Sequence, residues 1–297
     1  MGWMNNELHS KIEKIEAVFP HEILALQVHD EGDDFCVIEV NGVWMFRFPR
    51  NPSARTALEC ERQFLPRFER LSSISIPKCV YAGEGYVGYR KVEGVLLTRP
   101  LMDTLNGSIR RRVAQQLGEF LSALHSFPVE EAEELGLTRG WGGWRKRAYE
   151  RLQQEVVPGL STKARESVEM FFNRYFSLEW KAVVIHGDFH PPDHVFYDPE
   201  LEELAGVIDF GDLTLEDAAT DFKSIFEEFG EGYLREVMGY YSGSADEGIV
   251  DRVKLRIEAD PLFGAAYAIE YGFDGRLRRH LTEIEMAFGT EVRQWGR

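Results

Sequence analysis

The chain has 297 residues, of which 44% are hydrophobic and 12% aromatic; this is enough apolar surface for packed cores and excludes an intrinsically disordered protein. Its 50 acidic residues outnumber its 34 basic residues, for a formal net charge of -16. A field of this sign repels nucleic-acid phosphates and anionic membranes and attracts cations. We therefore expect no nucleic-acid or membrane partner. A cationic substrate is one explanation of the charge, and solubility alone is the other.

The cysteines and the apolar runs indicate the cellular compartment of the protein. Cys36, Cys60 and Cys79 are odd in number and lack C-x-x-C spacing, so no disulfide framework is expected. The first apolar stretch is interrupted by charges, and no run of 18 apolar residues occurs. These features predict a cytoplasmic protein.

The first part of the chain is predicted to be rich in strands. Residues 5–19 carry apolar side chains at helical spacing, which predicts a short leading helix. The runs 35–40 and 43–48 are rich in β-branched and aromatic residues, and Asn41-Gly42 separates them. Asn-Gly between two such runs is a strong signal of a β-hairpin.

An amphipathic helix is predicted next, over residues 52–70, followed by strands near 78–81 and 86–92. The segment Lys91-Val-Glu-Gly94 is typical of a turn. We therefore place a lobe boundary near residue 93, which divides the chain into residues 1–92 and 93–297.

The remainder is predicted to be mainly helical, because residues 108–126, 162–176 and 218–240 have helical patterns. No repeat or low-complexity tract is present. The fold class expected from this order is α+β, with a β-rich N-terminal lobe and a helical C-terminal lobe.

Two loops between the last two helical patterns carry the candidate chemistry. The first is His186-Gly-Asp188, which follows the apolar run Val183–Ile185. Phosphoryl transfer requires a carboxylate that orients the attacking hydroxyl, and cations that neutralise the phosphates. Asp188 suits the first role, and Asp193 or His194 could bind a metal from the far end of the same loop.

The second loop is Asp209-Phe-Gly-Asp212, which follows another apolar run, Leu204–Ile208. Its glycine permits a sharp turn. Carboxylate oxygens are preferred ligands of Mg²⁺, so Asp209 is a candidate metal ligand. A hairpin between the two loops can bring Asp188 and Asp209 into one cleft.

The two loops together resemble the catalytic and metal loops of the protein kinase-like superfamily. More closely, HGDFHPPDHVF, GVIDFGDLTLEDAATDF and the helix LGEFLSALH resemble the aminoglycoside phosphotransferase family. The segments Phe46–Arg50, Gly88–Gly94 and Asp217–Phe222 are most similar to aminoglycoside 2''-phosphotransferases. The resemblance spans roughly residues 30 to 290 and implies a two-lobed kinase-like fold with the nucleotide between the lobes.

The resemblance implies a nucleotide site in the first lobe. The family's phosphate-binding lysine is replaced by Arg47, paired with Glu61 or, as a second choice, Glu59. The base of ATP or GTP is expected against the connector around residues 86–92, for which Tyr89 and Lys91 are the candidate cofactor-binding residues. The candidate phosphate-covering turn is Asp-Glu-Gly-Asp-Asp over residues 30–34.

The resemblance leaves the second Mg²⁺ ligand open. The usual spacing, five positions after Asp188, gives Asp193. One inserted residue gives His194 instead, which we favour slightly because Val195-Phe196 must enter the next strand directly. Asp221 is expected to support the catalytic loop rather than to bind substrate.

The acceptor is expected to be an aminoglycoside, phosphorylated directly on a hydroxyl group. Several acidic residues could bind its amino groups: Asp212, Glu216, Asp217, Glu227, Glu228, Glu258, Asp260 and Glu270. The Gly-rich segment Arg139–Trp144 is a candidate loop over the acceptor. Alternatives are a macrolide or choline-like metabolite kinase and, because Arg47 departs from the family, a nucleotide-binding pseudoenzyme.

Overall fold

A computed structural model describes residues 2–30, 32, 34–243 and 248–289. The first part of the described chain contains two helices and five strands: α1 Gly2–Glu16, β1 Leu26–His29, β2 Phe35–Val40, β3 Trp44–Pro49, α2 Pro52–Phe68, β4 Cys79–Gly83 and β5 Tyr86–Arg90. The strands form one antiparallel sheet in the order β1-β2-β3-β5-β4. The sheet ends at Arg90, and a division of the chain at residues 92 and 93 stays a prediction.

The β2–β3 hairpin forms where the sequence predicts it. Asn41 and Gly42 have φ of 54° and 72°, the left-handed conformation that a two-residue hairpin turn requires. Alternation along β3 buries Phe46 and Phe48 in a core under α1. The same alternation turns Arg47 to the other face of the sheet, where α2 lies.

Residues at the start of helix α2 determine where it begins, and its apolar residues pack against the sheet. The Asn51 side chain accepts a hydrogen bond from the Ala54 N–H at 2.8 Å, and a proline occupies the first turn. Leu58 packs against Val87 and Tyr89 on the inner face of the sheet. The predicted helix over 52–70 is therefore confirmed, with its end at Phe68.

The remainder of the chain is mainly helical. Its elements are β6 Val95–Leu96, α3 Arg99–Thr104, α4 Gly107–His125, α5 Val129–Glu134, α6 Trp141–Glu155, α7 Thr162–Phe176, β7 Ala182–Ile185, α8 Pro191–His194, β8 Val195–Asp198, β9 Glu203–Val207, β10 Thr214–Asp217, α9 Ala219–Met238, α10 Ile249–Tyr271 and α11 Asp274–Phe288. Single 3₁₀ turns lie at Val157–Gly159 and Phe210–Asp212. The three long predicted helices correspond to α4, α7 and α9.

Two small antiparallel sheets position the loops with candidate chemistry. Strand β7 pairs with β10, and β8 pairs with both β6 and β9. Thus β7 leads into residue 186, and β9 ends two residues before Asp209. One large core joins α2, α4 and α9 to these strands, and a second core joins α6, α7, α10 and α11. None of the described helices is both long and apolar enough to cross a bilayer.

The expectation of a Gly-rich loop at Arg139–Trp144 is wrong, because α6 begins at Trp141. The Trp144 indole N–H donates to Glu270 at 3.1 Å, and its ring packs against Phe263 with centroids 5.8 Å apart. Trp144 therefore anchors α6 to α10.

Candidate active site

The loop that carries Asp188 is held by one buried carboxylate. The N–H groups of His186 and Gly187 donate to Asp221 at 2.8 and 3.0 Å. His125 Nε2 donates to the same carboxylate at 3.0 Å, and His125 Nδ1 lies 2.9 Å from the Tyr241 hydroxyl. Hydrogen bonds to a charged acceptor are about twice as strong as neutral ones. The predicted supporting role of Asp221 is confirmed.

A glycine permits the close approach of the two loops. Gly187 has φ of 88°, and a Cβ at this position would lie 2.2 Å from the Asp212 carbonyl oxygen. Any side chain would therefore strain the backbone and push the loops apart. The Asp188 side chain is 59% exposed.

Asp209 lies next to a buried ion pair. Arg47 Nη1 donates to both oxygens of Glu61 at 3.0 and 2.9 Å, and Arg47 Nη2 donates to Asp209 Oδ1 at 2.9 Å. Burial raises the pKa of Asp209, but the charges of Arg47 and His194 outweigh it, so the pKa lies below its ordinary value. Glu59 binds Arg62 instead. Of the two candidates, Glu61 is the partner of Arg47.

His194 lies between Asp188 of the first loop and Asp209 of the second. Its Nδ1 donates to the Asp188 carbonyl oxygen at 2.7 Å, and its Nε2 lies 3.8 Å from Asp209 Oδ2. A metal-binding histidine commonly donates its other ring N–H to a carbonyl in this way. Asp193 instead accepts from His190 Nδ1 at 2.8 Å and is 65% exposed. A metal-binding role for His194 or for Asp193 stays a prediction.

Negative charge is concentrated around these residues. Burial, with the charges of Asp188 and Asp209, raises the pKa of Asp212 to about 6. The described part of the chain holds no cluster of three His, Cys, Asp or Glu side chains spaced to bind a metal without other ligands. Mg²⁺ is usually held by one or two carboxylates together with substrate phosphates, so these donors fit it in a nucleotide complex.

A cavity of about 330 Å³ lies between the inner face of the sheet and the Asp209 loop. Arg47, Asp209 and Asp212 line it, together with Gly32 and Asp34. These last two belong to the turn predicted to cover phosphates; Glu31 and Asp33 of that turn lie outside the described residues. Beside this cavity, Arg47 lies over the Phe35 ring, 4.1 Å from its centroid.

The two connector candidates line neighbouring cavities. Tyr89 lines one of about 180 Å³ behind α2, and its burial raises its pKa to about 12. Lys91 lines one of about 610 Å³ and binds Glu39 at 3.1 Å, while its N–H donates to the Val43 carbonyl oxygen. A role for Tyr89 and Lys91 in nucleotide binding stays a prediction.

Three of the predicted acceptor residues, together with the metal candidate Asp193, form an acidic patch, which we define as Asp193, Glu227, Glu228 and Asp260. His190 lies between two of its members, with Nδ1 2.8 Å from Asp193 and Nε2 3.8 Å from Glu228. Lys223 bridges the other two, at 2.7 Å from Asp260 and 3.7 Å from Glu227. Acidic groups outnumber the basic groups they contact.

Glu216 and Asp217 were expected near the acceptor, and this is wrong. Both are buried and bound to arginines: Arg145 binds Glu216 at 3.0 Å, while Arg252 and Arg256 bind Asp217 at 2.9 Å. These carboxylates attach α10 to β10 and are not available to a substrate.

Sequence reasoning assigned no role to His125, Tyr241 or the three arginines. His125 stands in a motif that was noticed, but its partners are 96 and 116 residues away in the chain. For Arg252 and Arg256, the signal was their i, i+4 spacing, which places them on one face of a helix.

Comparison with known proteins decides the family. The model of the phosphotransferase enzyme family (APH) matches residues 27–280. The chain belongs to this family. The GDP complex of aminoglycoside 2'-phosphotransferase-IIIa has a TM-score of 0.82 and 28% identity to this phosphotransferase, with 95% of this chain and 98% of that chain covered.

More distant structures share the fold of the phosphotransferase. The gentamicin complex of APH(2")-IIa has a TM-score of 0.76 at 21% identity, with 94% of this chain and 95% of that chain covered. Macrolide 2'-phosphotransferase MphH from Brachybacterium faecium has a TM-score of 0.74 at 19% identity, with 96% and 99% covered. The predicted family and kinase-like fold are confirmed.

Proposed function

We propose that this phosphotransferase transfers the γ-phosphate of ATP or GTP to a hydroxyl group of an aminoglycoside. The observation that carries the proposal is the convergence of Asp188, His194 and Asp209: His194 lies 2.7 Å from the Asp188 carbonyl oxygen and 3.8 Å from the Asp209 carboxylate. A structure 28% identical to this chain is a complex with GDP and kanamycin.

Asp188 orients the acceptor in this proposal. Its exposed carboxylate accepts a hydrogen bond from the attacking hydroxyl. The oxygen–phosphorus bond to the acceptor forms while the bond from the γ-phosphorus to the bridging oxygen breaks, and the hydroxyl proton passes to Asp188. Asp221 acts through the backbone N–H groups of the loop, by keeping Asp188 in position.

Arg47 and Glu61 have the role of the lysine–glutamate pair of the family. The pair is buried, and Glu61 holds Nη1 with both oxygens, so the guanidinium has one orientation. A planar guanidinium can donate to two phosphate oxygens at once. Arg47 Nη2 donates a hydrogen bond to Asp209, and Arg47 lines the cavity in which the phosphates would bind.

Mg²⁺ would be held by Asp209 and His194, with phosphate oxygens as further ligands. Bound there, it neutralises charge between the phosphates. Burial, followed by the charges of Asp188 and Asp209, raises the pKa of Asp212, and a divalent cation would offset this concentration of carboxylates.

The acceptor is proposed from charge. Aminoglycosides carry several ammonium groups, whereas macrolides have a single amino sugar and a large apolar ring. The acidic patch offers four carboxylates beside the catalytic loop, balanced by one lysine and one histidine. Several ammonium groups complement such a surface better than one.

We also propose that the enzyme is cytoplasmic, because its three described cysteines are free and nucleotides are available there.

A coupled assay tests the proposal. Kanamycin, gentamicin, a macrolide and choline are each supplied with Mg-ATP or Mg-GTP, and nucleotide turnover is compared with that of Asp188→Asn. We expect turnover with at least one aminoglycoside, and none with the variant. Turnover only with the macrolide or choline contradicts the proposed acceptor. Nucleotide binding without turnover for any acceptor supports the pseudoenzyme.

A further inference from the structure

The start of α2 lies at the cavity that Arg47 and Asp209 line. Ser53 and Ala54, in the first turn of the helix, line this cavity. Asp34, which directly precedes β2, lines it as well and is exposed. A carboxylate and the start of a helix therefore meet where the nucleotide phosphates are proposed to bind.

The Asn51 side chain joins these two features. Its Oδ1 accepts the Ala54 N–H at 2.8 Å and so caps α2, and its Nδ2 donates to Asp34 Oδ1 at 2.9 Å. Asparagine, aspartate and serine cap helices about equally well. Among them, only asparagine has a separate NH₂ group that can donate while its oxygen caps the helix. Capping alone therefore does not require an asparagine, whereas holding the Asp34 carboxylate does.

The main chain at Asp34 is held independently of the Asn51 side chain. The Asp34 carbonyl oxygen accepts the Arg50 N–H at 2.8 Å. The Arg50 guanidinium also donates to the Asp30 carbonyl oxygen at 3.1 Å and forms an ion pair with the Asp30 carboxylate. Loss of the Asn51 amide should therefore release the side chain of Asp34 and leave its backbone in place.

The charge of Asp34 opposes a nucleotide. Asp209 and Asp212 line the same cavity, and the phosphate groups of a nucleotide would add further negative charge. At the start of α2, the Asp34 carboxylate is stabilised by the Asn51 amide and by the positive end of the helix dipole. A released carboxylate is free to turn into the cavity, where it repels the phosphates.

We propose that Asn51 is a positioning residue for the nucleotide: it holds the Asp34 carboxylate at the start of α2, away from the phosphates. This inference rests on the proposed function, because it requires nucleotide phosphates in the cavity at Arg47. Asn51 acts on nucleotide affinity through Asp34 and has no part in the transfer step.

A double-mutant cycle between Asn51 and Asp34 tests the proposal. Calorimetric titration of the whole chain, without an acceptor, measures the Kd of the magnesium complexes of non-hydrolysable ATP and GTP analogues. Asn51→Ser keeps the cap and removes the donor, so the Kd should rise about threefold, as expected for an exposed charge interaction. In the Asp34→Ala background the same change should have no effect, because no carboxylate remains to be held. Asp34→Ala alone should bind the analogue at least as tightly as the wild type.

Asn106→Ser is the matched control. Asn106 caps α4 in the same way, by accepting the N–H groups of Ser108 and Ile109, and it does not line the cavity. This variant should leave the nucleotide Kd unchanged. With an accepted substrate, Asn51→Ser should raise the nucleotide KM about threefold and leave kcat and the thermal midpoint as in the wild type. A purely structural role of the cap would move the thermal midpoint instead.

The outcomes distinguish this proposal from the proposed function. A loss of affinity in Asn51→Ser that disappears in the Asp34→Ala background supports the proposal. An unchanged Kd in Asn51→Ser, an equal loss in both backgrounds, or weaker binding by Asp34→Ala alone overturns it. Nucleotide binding by the wild type leaves the proposed function in place in each of these cases. No nucleotide binding by the wild type overturns both.

Discussion

The two sides of the candidate active site are built differently. On one side, Asp221 is buried and accepts three hydrogen bonds that fix the catalytic loop. On the side of the proposed acceptor, Asp193 and Glu228 are partly or largely exposed, and both lie beside His190. Buried groups with complete hydrogen bonding tolerate little change, while exposed charges contribute weakly and one at a time.

This difference suggests how a family can keep one reaction and vary its substrates. The loop geometry depends on a few short contacts between buried groups, such as the approach of Gly187 to Asp212. The acceptor surface depends on the sum of several long-range charges. Loss of a buried group should therefore affect stability and rate together, whereas loss of a charge on the acidic patch should affect substrate affinity alone.

The largest effect on activity is expected from Asp188→Asn. The exposed carboxylate supports no buried contact, so stability should hold, while kcat should fall about 10²- to 10⁴-fold with the loss of the proton acceptor. Steady-state kinetics and a thermal melt check this. Asp103→Asn, an exposed aspartate on α3, serves as the matched control and should change neither quantity. Equal activity of both variants would exclude Asp188 from catalysis.

The second prediction concerns the buried carboxylate of Asp221, where stability and kcat should both fall. Asp221→Asn replaces an acceptor by an amide that cannot satisfy three donors, so the free energy of unfolding should fall by about 3 kcal/mol. The kcat of the folded fraction should fall as well, since the loop loses its support. Denaturant unfolding at the same pH measures the first change. A stable variant with reduced kcat would mean that Asp221 does not hold the loop.

The third prediction distinguishes the roles of Asp193 and His194, which are neighbours in the short helix α8. His194→Ala should weaken Mg²⁺ about 10- to 100-fold, measured as the metal concentration for half-maximal turnover. Asp193→Asn should leave that concentration unchanged and raise the KM for the aminoglycoside instead. The opposite assignment of effects would place the metal ligand at Asp193.

The smallest effects are expected on the acidic patch. Glu228→Gln and Asp260→Asn should each raise the aminoglycoside KM a few-fold, with kcat and thermal stability unchanged, because exposed charge pairs contribute about 0.2–1 kcal/mol. The effect should shrink at high salt. Glu200→Gln, an exposed change outside the patch, should have none. A large fall in kcat from either patch variant would contradict the division between the two sides.

The sequence predicted the parts of the fold that local rules govern. The Asn41-Gly42 turn needs only two residues with positive φ between strand-forming runs, and it forms as expected. The positions of the Asp188 and Asp209 loops were also predictable, because each loop follows a buried strand. The Arg139–Trp144 segment was misread since its glycines suggested a loop, whereas packing of Trp144 against Phe263 favours a helix.

The sequence did not predict the ion-pair and hydrogen-bond partners of the charged residues. Glu216 and Glu228 look alike in the chain, yet one is buried against Arg145 and Arg256 and the other is partly exposed beside His190. The different partners of Asp193 and His194 likewise depend on contacts across the loop, such as the 2.7 Å hydrogen bond from His194 to the Asp188 carbonyl oxygen. Such pairings are set by tertiary packing, not by spacing.

The most direct test of the account is the identity of its product. Kanamycin is incubated with Mg-ATP or Mg-GTP and the wild-type enzyme or Asp188→Asn, and the drug is analysed by mass spectrometry and phosphorus NMR. The account predicts kanamycin carrying one phosphoryl group on a hydroxyl oxygen with the wild type, and unmodified drug with the variant. Unmodified kanamycin from both, under conditions where the wild type consumes nucleotide with a macrolide or choline and with no aminoglycoside, would contradict it.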